Sequence, residues 1–312
     1  MSYPVAPGTR DIGAITMRYI PAIYSGKMLV KFYARTVIAA ITNADWEGEI
    51  KAQGDTVYIR AIPTITSRAH TKGQTLVHEQ PTATPVTFLV DKGQYWAFST
   101  DDVDDAQTDI KAYTDRWTEA AAKDQAVEID TLFLADVYSD AHASNQGNSA
   151  GAISGDIELG LDGGTSIALT AADVIEKIMD CGQVLDEQNV PPENRWMVIP
   201  AWMGNMIKTS DLKNAYMTGD TVSPTRNGQL GIVDTFMLFK SNLLATTADG
   251  SANTTTCIIF GTNDAITFAT QLIKNENMPN PFSFGTLFRG LQVYGYKVVK
   301  PEALGWLYAR KG

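Results

Sequence analysis

The sequence predicts an α+β fold, and three observations predict it. Residues 54–63 and 85–91 alternate apolar and polar side chains with the period of a strand. One long segment, residues 101–143, carries helical periodicity. Short apolar runs and capped helices then follow with no repeated strand–helix unit, which argues against a parallel α/β plan.

The first strand signal is Gly54-Asp55-Thr56-Val57-Tyr58-Ile59-Arg60-Ala61-Ile62-Pro63, and the second is Pro85-Val86-Thr87-Phe88-Leu89-Val90-Asp91. Between them, residues 64–84 are rich in Thr, Ser, Gly, Gln and Pro and hold little to bury. Connectors this long are uncommon in compact domains and tend to be functional or partner-bound. The spacing therefore predicts a protruding two-stranded arm. Ahead of it, residues 1–25 carry Pro4, Pro7, Gly8 and Pro21 and read as an extended arm. Residues 27–43 fit a short helix or a strand equally.

For residues 101–143, Ser99, Thr100, Asp101, Asp102, Asp104 and Asp105 supply capping side chains and negative charge suited to a helix start. Ile110, Tyr113, Trp117, Ala120, Val127, Leu134 and Tyr138 then mark a face, with no Pro or Gly before Gly147. A helix of roughly 35–40 residues would be about 55 Å long, well beyond the usual globular length. Residues 144–169 read as a loop. Thr170 and Asp173 open a second helix through Asp186, with Val174, Ile178, Cys181 and Leu185 on one face. Residues 191–194 form a turn, 195–200 a buried strand, 201–212 a helix and 215–230 a polar loop. Further strands are expected at 231–240 and 256–260. A closing pair is expected at 290–299 and 305–309, split by a turn at Lys300-Pro301-Glu302.

The chain has 312 residues, 44% hydrophobic, enough for a sizeable core. Its formal charge of −10 and scattered Lys and Arg argue against a nucleic-acid reader and predict no strong, salt-sensitive DNA binding. Cys181 and Cys257 sit in apolar contexts and read as reduced core thiols. No signal peptide and no apolar run of membrane-span length is visible.

Catalytic signatures are missing: there is no P-loop, Gly-x-Gly-x-x-Gly, His-Glu-x-x-His, Cys-x-x-Cys or Gly-x-Ser-x-Gly. His70 and His78 lie in the polar connector and His142 at the frayed end of the long helix, so none is set to serve a nucleophile or a metal. The four aspartates at 101–105 are read as helix capping in preference to a cation site or paired catalytic carboxylates. Asp109, Asp115, Glu119 and Asp130 read as a solvated helix face. Trp196 and Trp202, flanking Pro200, read as core anchors in preference to a sugar platform. No metal, cofactor or catalytic residue is assigned.

The order of these parts resembles the Hong Kong 97-type coat protein of tailed bacteriophages, over nearly the whole chain. Local wording agrees. Asn189-Val190-Pro191-Pro192-Glu193-Asn194-Arg195-Trp196 is similar to the "P-x-x-R" passage that opens the axial domain. Gly231-Ile232-Val233-Asp234-Thr235-Phe236, followed by Lys240-Ser241-Asn242, is similar to a "G-x-V-x-G-F-x-V-x-x-S-N" segment, with Thr235 where a glycine is usual. Residues 294–302 resemble the terminal strands.

The resemblance implies an N-terminal arm at 1–45 and an extended β-hairpin loop at 46–100 with its tip at 64–84. It implies a peripheral domain with the spine helix at 101–169, an axial domain at 170–289, and C-terminal strands at 290–312 returning to the peripheral domain. It implies a non-enzymatic major capsid protein in the virion. Such a chain self-assembles into pentamers and hexamers around double-stranded DNA without sequence-specific binding. A scaffolding protein, a portal and a decoration protein would be its partners, with no membrane. Lys72 lies in the loop from which some members cross-link themselves, though no asparagine or glutamate can be assigned to it. An encapsulin-like shell protein is the alternative in the same fold, and a surface hydrolase or carbohydrate-binding protein the alternative outside it. Basic Arg60, Arg68, His70 and Lys72 are expected to meet acidic Asp101, Asp102, Asp104 and Asp105 of an adjacent subunit.

Overall fold

A computed structural model describes residues 9–12, 15–18, 34, 36–45, 56–60, 63, 65–82, 85–102, 111–210 and 231–312. The chain divides into two units, residues 1–32 and 33–312. In the first, β1 (Thr9–Ile12) and β2 (Ile15–Arg18) form an antiparallel hairpin. The rest of the expected N-terminal arm before residue 34 lies outside the described residues, as do Asp104, Asp105, Asp109 and the polar loop at 215–230.

The second unit begins with α1 (Ile38–Ile41), a single turn that gives the ambiguous 27–43 stretch a helical piece. Next come β3 (Thr56–Ile59) and β4 (Val86–Leu89), paired antiparallel as the root of the predicted arm. Strand β5 (Lys92–Asp101) follows and then helix α2 (Lys111–Asp136). The start of the long helix is a correction: Asp101 ends a strand opposite Gly285 instead of opening the helix, while Asp102 is helical and residues 103–110 lie outside the described residues. The described helix holds 26 residues, about 39 Å, and a 3-10 turn at Val137–Asp140 finishes it.

Strand β6 (Ile167–Leu169) lies in the expected loop. Helix α3 (Val174–Glu187) buries Val174, Ile178, Cys181 and Leu185, the face its spacing predicts. Strand β7 (Arg195–Ile199) is buried throughout, and α4 (Ala201–Thr209) follows it. The strand expected at 231–240 is broken in two, β8 (Ile232–Val233) and β9 (Phe236–Lys240), because Asp234 turns the chain at φ 53°. Then come β10 (Thr246–Ala248), β11 (Thr254–Thr262), β12 (Ile266–Pro279), β13 (Gly285–Val298) and β14 (Leu304–Lys311).

Six strands form the path β6-β14-β11-β7-β9-β8 of a seven-stranded mixed sheet, with β10 beside β11. Its central strands are buried on both faces, so they read as continuous apolar runs and not as alternation. Successive side chains go to opposite faces. Met197, Ile199, Ile258, Phe260 and Leu307 join α3 and α4 in one core. Trp196, Val198, Ile259, Trp306 and Tyr308 join Phe133, Leu134 and Val137 at the end of α2 in the other. Trp196 is thus a core anchor, and Trp202 packs half-buried against the first core. Both cysteines are buried thiols.

The closing strand pair is a second correction. Although β13 and β14 are neighbours in sequence, Pro301 opens a 3-10 turn between them and they enter different sheets. Strand β13 pairs with β12 and β5, while β14 pairs with β11 and β6. A boundary at 289/290 therefore falls inside a continuous strand.

Asp130 is a third correction. Far from facing solvent, it is fully buried and accepts hydrogen bonds from the N–H groups of Val37 (3.2 Å) and Ile38 (3.0 Å). Burial pushes its carboxyl above the usual range, against those two donors. It holds the first turn of α1 onto α2 across more than ninety residues of chain. Asp115 and Glu119 are exposed as expected, and Glu119 pairs with Lys123 at 2.5 Å.

The loop at 151–155 is pinned by Glu187. Its carboxylate accepts from the N–H of Ser154 (3.0 Å) and of Ile153 (2.8 Å) and from the Gln183 amide (2.9 Å). These donors pull its pKa down to about 2. The ordinary value for an unfolded glutamate is about 4.3. A lowered pKa stabilises the folded loop above that value, and the gain is lost as pH falls toward 2. The expected result is that the Ile153 and Ser154 amide resonances titrate with a midpoint near 2. A midpoint near 4.5 would contradict the pinning.

Candidate assembly surfaces

Beyond β3 and β4 the arm leaves the body. At its root Ile59, Phe88 and Val90 pack with Ala269 in a small buried cluster. From residue 65 to 82 every residue is exposed. The tip turns at Thr71–Gln74, with Gly73 at φ 85° and the Thr71 N–H donating to the Gln74 side chain at 3.1 Å. Arg68 pairs with Glu79 across the two legs. Full extension of the dozen residues from Ile59 to Thr71 spans up to about 40 Å. Ile65, Leu76 and Val77 lie along it exposed. Ordering such a segment costs roughly 1–2 kcal/mol per residue in backbone entropy, and the described body offers it no apolar bed.

Strands β12, β13 and β5 form a separate three-stranded sheet with α2 across one face. Even-numbered residues of β5 point to the helix. The rings of Trp96 and Phe98 stack at 5.8 Å, Phe98 stacks on Phe288 at 5.2 Å, and Trp117 meets Phe98 edge-on at 6.1 Å. The indole of Trp96 lies over Gly290, where a Cβ would come within 2.4 Å of it. The Gln125 amide donates to the Gln94 carbonyl at 2.6 Å. Yet among the described residues no apolar side chain of β5, nor of α2 before Ile129, is fully buried. This plate has aromatic contacts and no core of its own.

Among the described residues, cover on the outer face of the plate comes at its base, where the arm root packs near Val293. Farther out, directly opposed residues share that face: Tyr95 with Leu291, Ala97 with Arg289 and Ser99 with Leu287. Tyr95 is 77% exposed. At the far end the hairpin between β12 and β13 presents Phe282 and Phe284, 96% and 86% exposed.

Electrostatics tie the plate's base to the end of α2. The Tyr296 hydroxyl donates to Asp136 at 2.7 Å, and Lys297 pairs with Asp140 at 2.9 Å. Lys92 sits 4.8 Å from the Tyr296 ring centre. These cations offset two carboxylates at the negative end of a helix dipole. Burial, then the neighbouring Asp136, push the Tyr296 phenol well up, which keeps it a proton donor.

Of the residues expected to meet across subunits, Arg60, Arg68, His70 and Lys72 are exposed on the arm, and Asp101 and Asp102 are exposed at the far end of β5. The described chain thus places the two sets on different projections. The sequence reading missed the outer face and the Phe282–Phe284 tip. The signal was present: residues 279–285, Pro-Asn-Pro-Phe-Ser-Phe-Gly, are a turn sequence with two aromatic side chains and no charge.

Burial pushes the Cys257 thiol up to about 12 and that of Cys181 higher still, which suits neither to nucleophilic attack. His142 accepts from the Ser144 N–H at 3.2 Å and so serves as a turn cap. No cluster of metal-ligating side chains occurs among the described residues. No described helix is long and apolar enough to cross a membrane.

No family model matches the chain, and no curated protein does. Solved structures do. A structure from Mycobacterium phage Che8 aligns with a TM-score of 0.70 at 24% identity, over 92% of this chain and 96% of its own. The capsid structure of Cyanophage P-SCSP1u aligns at 0.71 with 17% identity, over 94% of each. The mature capsid of bacteriophage PhiM1 aligns at 0.63 with 16% identity, over 92% of this chain and 91% of its own. The chain has the fold of these phage structures, the Hong Kong 97-like α+β fold that its sequence resembles.

Proposed function

We propose that this chain is the major capsid protein of a tailed phage. It builds an icosahedral shell around double-stranded DNA, and its place is the virion. One observation carries the reading: a fold shared end to end with phage capsid structures leaves an arm and an outer plate face that the described residues of a single copy do not cover. A role in structure and not in catalysis fits the inert thiols and the capping histidine. Residues 60–85 serve as the extended loop, the plate and α2 as the peripheral domain, and the seven-stranded sheet as the axial domain. Pentamers and hexamers of the chain are the building units, with a scaffolding protein, a portal and a decoration protein as partners.

In this proposal the arm lies over the adjacent subunit. Arg60, Arg68, His70 and Lys72 face that neighbour's Asp101, Asp102, Asp104 and Asp105, and Ile65, Leu76 and Val77 gain the cover they lack. Expressing the chain with its neighbouring genes and imaging the product by negative stain tests the reading. Closed shells or five- and six-membered rings are expected. A stable monomer at high concentration with scaffold present would overturn it. Shells filled with protein and free of DNA would overturn the DNA-packaging part.

A further inference from the structure

Resting on the shell-building reading, we infer that Phe282 and Phe284 form a finger that docks in the outer-face groove of a second copy's plate. The finger is preorganised. The Asn280 N–H donates to the Gly285 carbonyl (2.8 Å), the Asn280 amide to Ser283 (2.8 Å), and the Phe282 N–H returns to the Asn280 side chain (3.0 Å). Behind it, the Asp102 N–H reaches the Phe284 carbonyl at 3.4 Å. Two nearly fully exposed phenyl rings on a braced hairpin match the rigid aromatic anchors that dominate protein interfaces.

The groove is apolar at its floor, with Tyr95, Ala97, Leu287 and Leu291, and measures about 470 Å³. Its charges are largely neutralised among themselves: Lys274 and Arg289 both pair with Glu276, at 2.5 and 2.6 Å. One positive charge is left over at the rim, opposite in sign to the exposed Asp102 beside the finger. The same aspartate argues against fingers meeting one another, since that contact would gather like charges.

The occupant is a second copy, not the finger's own chain. Finger and groove belong to one continuous strand, and Gly285 and Leu291 stand about 20 Å apart along it, so the finger cannot fold back onto its own groove. The contact joins different surfaces of the two copies, and head-to-tail contacts of this kind close into rings when the rotation between copies closes. Two phenyl rings bury about 150–250 Å² each. Counting the groove's own side, the contact covers about 600–1,000 Å², below the 1,200 Å² or more of a stable pair. It therefore makes no lasting dimer in solution and acts only when a shell repeats it.

The experiment uses assembled shells of the full chain carrying Phe282→Cys together with Leu291→Cys. The native thiols, Cys181 and Cys257, are buried and give no background. Mild oxidation should yield a ladder of covalent oligomers, and neither single variant should cross-link. Separately, Phe282→Ala with Phe284→Ala should raise the protein concentration needed for assembly about tenfold or more. Dimers from Phe282→Cys alone, cross-links to another virion protein, or intact double-cysteine shells without cross-links would each overturn the docking and leave the shell reading standing. Failure of the unaltered chain to form shells or rings would overturn both.

Discussion

Arg195→Ala is expected to destabilise the folded chain by about 3–5 kcal/mol, read as a fall in the urea midpoint with an unchanged slope. The guanidinium is fully buried. Its Nη2 donates to Asp186 (2.6 Å) and to the Val190 carbonyl (2.5 Å), its Nε to the Pro191 carbonyl (3.0 Å), and its Nη1 to Thr235 (3.4 Å). One side chain thus fastens the end of α3, the proline turn and the β8–β9 turn to the first residue of β7. Asp186 is largely exposed and rehydrates once freed, so the ion pair contributes little. The loss comes from the Val190 and Pro191 carbonyls losing their donor, at up to about 1–3 kcal/mol each where water does not take its place, with a void added where the buried side chain stood. Arg195→Lys keeps charge and stem but cannot reproduce the fork, and should lose roughly half as much. A change under about 1 kcal/mol for the alanine variant would show that water replaces the guanidinium.

Arg195 also marks what the sequence makes legible. The run from Arg195 to Ile199 is apolar beyond its arginine and is bounded by prolines, because the sheet it enters is covered on both faces. The period of Val174, Ile178, Cys181 and Leu185 is legible for the same reason: one face of α3 meets a core. The plate is harder to read. Strand β5 alternates Trp96 and Phe98 with Tyr95 and Ala97, so both of its faces look partly apolar, and Asp101, read as a helix start, ends the strand. Strand β12 carries Lys274, Asn275, Glu276 and Asn277, a polar run that hides a strand. Asp130 is unreadable from local pattern, because the groups that bury it, Val37 and Ile38, come from another part of the chain. The arm's legs are legible through alternation and its tip through the want of it. What the tip touches depends on a second copy, about which one chain's periodicity is silent.

Replacing residues 65–82 by a short Gly-Ser link is expected to abolish closed shells while leaving the unfolding midpoint of the subunit nearly unchanged. The stability half follows from exposure. No residue in this range is buried, and the cluster that roots the arm, Ile59, Phe88 and Val90, lies outside it. Shortening a loop changes closure entropy by only about 0.6 kcal/mol per halving. The assembly half follows from the proposed contact with the neighbour's acidic patch. Each exposed ion pair there contributes about 0–1 kcal/mol, but a shell repeats it in every subunit. Charge reversal separates the contact from the arm's own shape. Because Arg68 already pairs with Glu79, Arg68→Glu disturbs the arm as well as the interface, and Lys72→Glu is the cleaner probe. Lys72→Glu should raise the threshold concentration for assembly several-fold, and Asp101→Lys with Asp102→Lys in the same chain should restore part of the loss, as coupled neighbours do. Subunit integrity is followed by thermal unfolding and assembly by light scattering and negative stain. Shells of normal size and yield from the arm-shortened chain would remove the arm from the interface, and no rescue by the double aspartate change would remove the acidic patch.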